Sequence, residues 1–452
     1  MRLNPPGAAA PGEFFERPFV LQAGDQFMKS DRKIILSLFL IFSLLLLGTS
    51  FFAGPVTQLL PGLWKILTSP QVLTSDACAL GGLNGALLNA GLLGLMAWAL
   101  FALTGSRLNG ASVGAYFLTV GFAFFGKNCL NVLPIIFGSW IYSIIKKESF
   151  GQYVNLSLFA CSLSPVVSEA LFPRYHHYPL AAGILIALLL GSLIGILFPP
   201  LAAHTAGMHK GYNLFNAGLS AGFLAFALFA VYKTFFLRPL GLEGDYSLNC
   251  ILSQGFPLFF PLFLSLSFFG ALLAGFFLNG RSVSGYGKLI RKTGLACDFL
   301  AEDGAARVLI NFGLLGLLSL GLALLVKVPL TGPTAGALLC IVCWAANGSH
   351  PANVLPIMAG YALASIFSAW SLSDQAIFVG LCFATGLSPL SGRWGLHWGV
   401  IAGALHACLV SYTAVIHGGF NLYNGGFTAG LLALLLVPLL ESFQKSKLKA
   451  QP

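Results

Sequence analysis

Fourteen apolar segments follow one another along this chain, and almost nothing charged lies inside them. They cover 34–53, 79–103, 112–127, 130–146, 153–171, 179–203 and 212–235, then 257–279, 305–326, 330–346, 351–371, 375–391, 394–414 and 420–440. A backbone surrounded by lipid has to satisfy its own N–H and C=O groups, so runs of this kind fold as helices. The expectation is an all-α polytopic membrane protein. Composition agrees: 57% of residues are hydrophobic and 8% charged, where a soluble domain carries about 25% charged residues. That balance excludes a water-soluble globular body. The 53 glycines suit helices that pack closely inside a membrane.

The two halves are copies of each other. Asn89 and the stretch Gly91–Leu95 recur as Asn311 and Gly313–Leu317; Asn131-Val132-Leu133-Pro134-Ile135 recurs as Asn353-Val354-Leu355-Pro356-Ile357, both 222 residues on. Leu163-Ser164-Pro165 recurs as Leu387-Ser388-Pro389 at an offset of 224, and the block from His209 to Gly222 recurs from His417 to Gly430 at an offset of 208. The change of offset places an insertion near 172–178. The expected organisation is an N-terminal arm (1–32), a first membrane repeat (33–235), a connector (236–256), a second repeat (257–441) and a basic tail (442–452). With about seven segments per repeat, the second copy runs upside down relative to the first, the inverted-topology arrangement common among transporters. Several segments are short for a span, and Pro134, Pro165, Pro356 and Pro389 fall within them, so Pro-broken or re-entrant helices are expected.

Charge placement gives an orientation. With the N-terminus inside and all fourteen segments crossing, 18 Lys and Arg fall inside and six outside, Lys127 among the latter. Both termini are therefore expected in the cytoplasm, in the cell membrane. The net charge of +10 records topology, and no nucleic-acid partner is expected. The cysteines lie mostly in apolar runs, including Cys340 and Cys343 of a lone CxxC, and read as packing. No metal-ligand spacing, Walker A, GxSxG or GxGxxG is present, so no metal, no cofactor and no enzymatic activity are expected.

The candidate pathway residues are amides. Asn131 and Asn353 each precede a proline by three residues, where an amide either caps the helix start or meets a solute. Asn213 and Asn216, with Asn421 and Asn424, are spaced by three and share a helix face beside aromatics; they read either as hydrogen-bonding groups along a wet path or as glue between helices. Glu169 aligns with Arg393, an acid and a base just after the two Ser-Pro breaks, and together they form a candidate gate. Asp76 and Asp298 are expected as N-caps.

On these Gly-Tyr-Asn and Asn-x-x-Pro blocks the chain resembles an uncharacterised family of bacterial multi-pass membrane proteins of unknown function, and is more loosely similar to urea transporters. The latter resemblance implies an inverted duplication, a selective pore for urea and a homo-oligomer, a trimer. It departs from their pattern, since Asn131-Val132-Leu133-Pro134 is not an Asn-Pro pair. The function expected from the sequence is a transporter or channel-like facilitator of a small polar solute, urea- or amide-like, at the interface of the repeats. The alternatives are an ion-coupled secondary carrier and a non-transporting scaffold. The expected partners are membrane lipid, the solute and further copies of the chain.

Overall fold

The computed structural model describes residues 25–240 and 253–449, without the side chains of 25–29 and 444–449. Most of the expected arm, the centre of the connector and residues 450–452 lie outside the described residues. Among the described residues every regular element is helical. The first half comprises α1 (Asp25–Ser50), α2 (Leu59–Thr68), α3 (Ala77–Leu103), α4 (Gly110–Phe122), α5 (Leu133–Lys146), α6 (Val154–Ala160), α7 (Ser164–Leu171), α8 (Leu180–Met208) and α9 (Asn216–Tyr232). The second comprises α10 (Phe259–Leu278), α11 (Tyr286–Leu289), α12 (Phe299–Asp303), α13 (Ala305–Leu325), α14 (Gly332–Ile341), α15 (Pro351–Phe367), α16 (Gln375–Ala384), α17 (Ser388–Trp394), α18 (Leu396–Ile416) and α19 (Asn424–Lys449).

Among the described residues ten helices are long and apolar enough to cross a membrane, counting α6–α7 and α16–α17 as continuous, and four are shorter: α4, α5, α14 with the turn after it, and α15. Together they fall on the fourteen apolar segments. The 13 residues of α4 reach only about 20 Å at 1.5 Å per residue, short of a hydrocarbon core about 30 Å thick. The turn between α4 and α5 is accordingly folded into the protein. Lys127 on that turn is 1% exposed, so it is no loop cation and leaves the outside tally. α2 was not expected; its ten residues are too few for a span, and Leu60 and Trp64 stand exposed on it.

The prolines act as helix starters more than as kinks. Pro134, Pro165 and Pro389 occupy the first turns of α5, α7 and α17, where the missing N–H costs nothing. Pro356 differs: it lies inside α15. A capping box between His350 and Asn353 starts that helix at Pro351, one turn before the position the first half uses. The insertion also has a clear place. α7 and α8 are joined by residues 172–179, whereas α17 and α18 are separated by Gly395 alone, with φ at 102°.

Helix packing is duplicated. A Cβ on Gly138 of α5 would stand 2.2 Å from the Ser192 carbonyl of α8, and one on Gly360 of α15 2.1 Å from the Val400 carbonyl of α18. The first spans also meet the opposite half. The amide of Ala305, at the start of α13, donates to Asp31 near the start of α1 (3.4 Å), while Ser253, just before α10, donates to Asp76 at the start of α3 (2.8 Å). Both aspartates cap as expected: Asp76 accepts from Cys78 and Ala79, Asp298 from Ala301. Asp298 also accepts from the Gly110 amide at the start of α4; burial pushes its carboxyl above the ordinary aspartate value, and those backbone N–H groups pull it part of the way back.

Candidate functional site

The polar residues singled out in the sequence hold the helix breaks together, in matched sets. Asn89 on α3 donates to the carbonyls of Ala123 and Lys127, each at 2.9 Å, and Asn311 on α13 donates to Ala345 and Ser349, each at 2.8 Å. Asn131 donates to the Gly126 carbonyl at 2.9 Å and Asn353 to Gly348 at 2.8 Å. Asn131 reaches Ser168 on α7 as well. Their side-chain oxygens accept from the backbone N–H of Asn128 and His350. Asn353 is thus the third-position partner of a capping box rather than the N-cap itself, and Asn131 makes the same reciprocal pair with Asn128 in the turn ahead of α5. The turn these amides clamp needs a glycine. Gly126 has φ at 91°, and a Cβ there would lie 2.3 Å from Leu422.

The second amide set ties α8 to α9 and α18 to α19. His209 Nε2 meets Asn216 Oδ1 at 2.9 Å, and Asn216 donates to the Ala202 carbonyl. His417 Nε2 meets Asn424 Oδ1 at 3.0 Å, and Asn424 donates to Val410. Asn213 and Asn421 bridge the halves reciprocally: Asn213 donates to Gly426 at 3.0 Å and Asn421 to Gly218 at 3.4 Å. α9 and α19 cross there on glycine, a Cβ on Gly218 standing 2.7 Å from the Gly426 Cα. The turns before them reach across too, Leu214 donating to Gly386 and Leu422 to Ser162, each at the break in the other half's composite helix. Each of the six amides gives at least one N–H to a protein acceptor.

Glu169 and Arg393 are not brought together. Glu169 pairs with Arg174 (2.9 Å) on the inserted loop and accepts from the Tyr232 hydroxyl (2.9 Å). Arg393, at the end of α17, is exposed. The insertion that lengthens the first half supplies the acid with a partner five residues away, so the candidate gate is corrected to an ion pair within one half.

These cross-half bonds close around a buried aromatic cluster that the sequence reading did not assemble. Phe122 stacks on Phe383 (centroids 5.8 Å apart), and their counterparts Trp344 and Phe159 stack in turn (6.2 Å). Phe122 meets Tyr423 edge-on at 5.0 Å, and Trp344 meets Phe215 edge-on at 5.7 Å. Phe215 and Tyr423, themselves counterparts, meet at 5.8 Å. The Lys127 ammonium lies 5.2 Å from the Phe122 ring centre and donates to the Leu158 carbonyl at 3.1 Å. Cys340 and Cys343 are buried free thiols beside Tyr423. By contrast, a crevice of about 280 Å³ between α1, α10 and α13, lined by Phe39, Phe42 and Phe312, is almost wholly apolar and suits an acyl chain.

Fold and site together define a polytopic α-helical membrane protein whose halves interlock around a buried aromatic and polar centre. The chain belongs to a family described as proteins of unknown function, DUF1576, which it matches over residues 56–234 and 278–442. No curated protein and no solved structure matches it.

Proposed function

We propose that this protein is a non-enzymatic membrane transport protein, a facilitator or carrier that passes a small polar solute between its two halves. The observation that carries the reading is the reciprocity of the contacts at the centre. Each half inserts a broken helix and an amide-held turn into the other, and the breaks converge on stacked aromatic rings with a lysine beside them. Scaffolding needs only packed apolar helices. Irregular backbone at membrane depth is tolerated where it is buried in protein or lines a path.

The same contacts support an inverted arrangement of the halves. α13 starts beside the start of α1, while α3 starts at the far end of α1, after one crossing. Corresponding helices α3 and α13 then run in opposite senses. Both termini lie in the cytoplasm in this reading, the side that the excess of Lys and Arg favours, with the protein in the cell membrane. In this reading Asn131, Asn353, Asn213, Asn216, Asn421 and Asn424 shape the path by fixing the backbone breaks, and the path is walled by the aromatic rings. The buried Lys127 favours a charged solute or ion coupling over a passive pore for urea.

The test is flux in proteoliposomes holding the full chain, against a panel of urea, acetamide, nitrate and amino acids. A saturable flux of at least one solute above protein-free vesicles supports the proposal. No flux of any member, with no solute-dependent stabilisation of the purified protein, refutes it and favours a scaffold.

A further inference from the structure

The chemistry around Lys127 narrows the solute. Lys127 is 1% exposed, and among the described residues no carboxylate forms an ion pair with it. Its electrostatic neighbours are the thiols of Cys161 and Cys340. An ammonium has three donors and no acceptor, and the hydrogen bond to Leu158 uses one. Four further polar atoms are buried without a hydrogen-bond partner among the described residues: the Trp344 indole nitrogen and the Tyr423 hydroxyl in the same aromatic cluster, and the hydroxyls of Ser157 and Ser162 on the α6–α7 stretch that carries Leu158. Tyr423 meets Phe122, whose ring lies beside Lys127; Trp344 meets Phe159 and Phe215; Ser157 and Ser162 flank the short stretch that contains Leu158.

Unpartnered buried polar atoms are rare in folded proteins, and several in one cluster point to a missing ligand. The set is biased in sign. Lysine and indole can only donate, and serine and tyrosine hydroxyls donate whenever an acceptor is offered. The absent partner is therefore an acceptor. A buried ammonium without a counter-charge is costly, and an anion removes that cost where urea, with four N–H donors of its own, would leave them facing other donors. Stacked rings make flat walls, which suit a planar solute.

We propose that Lys127, Trp344, Tyr423, Ser157 and Ser162 form a binding site for a small planar monovalent anion, an oxyanion such as nitrate or a short carboxylate, and that this anion is the transported solute. The inference rests on the transport reading above. Gly126, Asn89 and Asn131 are positioning residues, since they hold the turn that carries Lys127. Binding is by ion pair and hydrogen bonds, with no covalent step.

Nitrate and urea are both planar and trigonal and differ in charge, so they form the decisive pair of probes. Full-length protein in detergent is titrated with sodium nitrate, with urea and, as a bulky anion control, with sodium gluconate at equal ionic strength. Tryptophan fluorescence and thermal stability are followed, and the same solutes are tested for flux in proteoliposomes. The expected result is saturable binding and flux of nitrate only. Lys127→Met is expected to weaken nitrate binding by about tenfold or more, the loss of a charge-assisted contact. Should that variant fail to fold, Trp344→Phe serves: the symmetry-related position is already Phe122, so the ring is kept and only the N–H is lost. It is expected to weaken nitrate several-fold. Flux of urea with no binding of nitrate overturns the anion inference and leaves the transport reading standing. No flux and no binding of either overturns the anion inference, and the transport reading falls with it when acetamide and the amino acids fail as well. Nitrate binding unchanged in the folded Lys127→Met and Trp344→Phe variants overturns this placement of the site.

Discussion

Replacing Asn424 by leucine separates the two roles that a buried amide can have. Asn424 is 5% exposed, takes the His417 Nε2–H on its oxygen and gives its own N–H to the Val410 carbonyl. Leucine has similar volume and fills the space, but it leaves the buried His417 Nε2–H unpaired, whereas the Val410 carbonyl keeps the Thr413 hydroxyl at 3.0 Å. In water-soluble proteins each such group costs about 1–3 kcal/mol. Within membranes the measured coupling of polar pairs averages about 0.6 kcal/mol and reaches about 1.7 kcal/mol, because the unfolded chain in lipid also finds partners. For the one stranded donor the expected loss is therefore about 1 kcal/mol. Adding His417→Phe removes that donor but also the Nδ1 that accepts from the Asn421 amide, so the double variant is expected to recover little of that loss. The assay is reversible unfolding in mixed lipid–detergent micelles, with flux measured on the folded fraction. A loss below about 0.5 kcal/mol combined with a collapse of flux would refute the reasoning, because the amide would then be serving the solute and not the α18–α19 contact.

Gly218→Val is expected to cost about 2 kcal/mol or more and to lower the yield of folded protein, since its Cβ would meet the Gly426 Cα at 2.7 Å and backbone cannot swing aside; wild-type melting temperature would contradict this. Gly304→Ala is expected to cost about 1–3 kcal/mol, because φ 83° with ψ 161° is a glycine-only conformation; the matched Gly82, with φ 73° and ψ 167°, should behave alike in thermal melts. For topology, Lys29→Cys and Lys447→Cys are expected to resist an impermeant thiol reagent in intact cells, and Lys65→Cys on α2 to react. Labelling of one terminus and protection of the other would defeat the cytoplasmic assignment.

The helical frame was legible because lipid leaves the backbone few alternatives: all fourteen apolar runs became helices, and Asp76 and Asp298 capped as their positions implied. The break positions were legible from proline, with Pro356 as the exception because His350 and Asn353 start α15 a turn early. What an asparagine bonds to was not legible. The same spacing serves a wet face or a dry seam, and tertiary geometry decides by placing a carbonyl such as Ala202 or Gly426 within reach. Lys127 was misread for a related reason. Between Gly126 and Asn128 it lies in a dip of hydropathy that resembles any loop, and only the fold reveals that the dip points inward. A signal was present: at the repeat offset Lys127 stands opposite Ser349, inside a turn that is otherwise duplicated closely enough that Lys127 and Ser349 make the same backbone bond, to Phe122 and to Trp344.

The contrast between what the two halves share and where they differ bears on mechanism. Shared residues are the ones that build: Asn89 with Asn311, Asn131 with Asn353, Gly218 with Gly426, each pair making the same bond or the same close approach. At the centre the halves diverge in a consistent direction. Phe122 corresponds to Trp344, Phe215 to Tyr423 and Ser349 to Lys127, so at these positions one copy carries an indole N–H, a phenol or an ammonium that the other lacks, while Phe159 and Phe383 stay alike. A homodimer of half-length chains could not do this, because its two sides would be identical by symmetry. Fusing the copies into one chain freed each position near the axis to specialise, and the specialised positions gathered donors on both sides of the Phe215–Tyr423 contact. Under the anion proposal, these specialised positions are the donors that meet the bound solute. The prediction is that swapping the pair, Phe122→Trp with Trp344→Phe, keeps the fold but lowers nitrate affinity several-fold. A double variant that binds nitrate as tightly as the parent would show that the asymmetry at the centre is incidental.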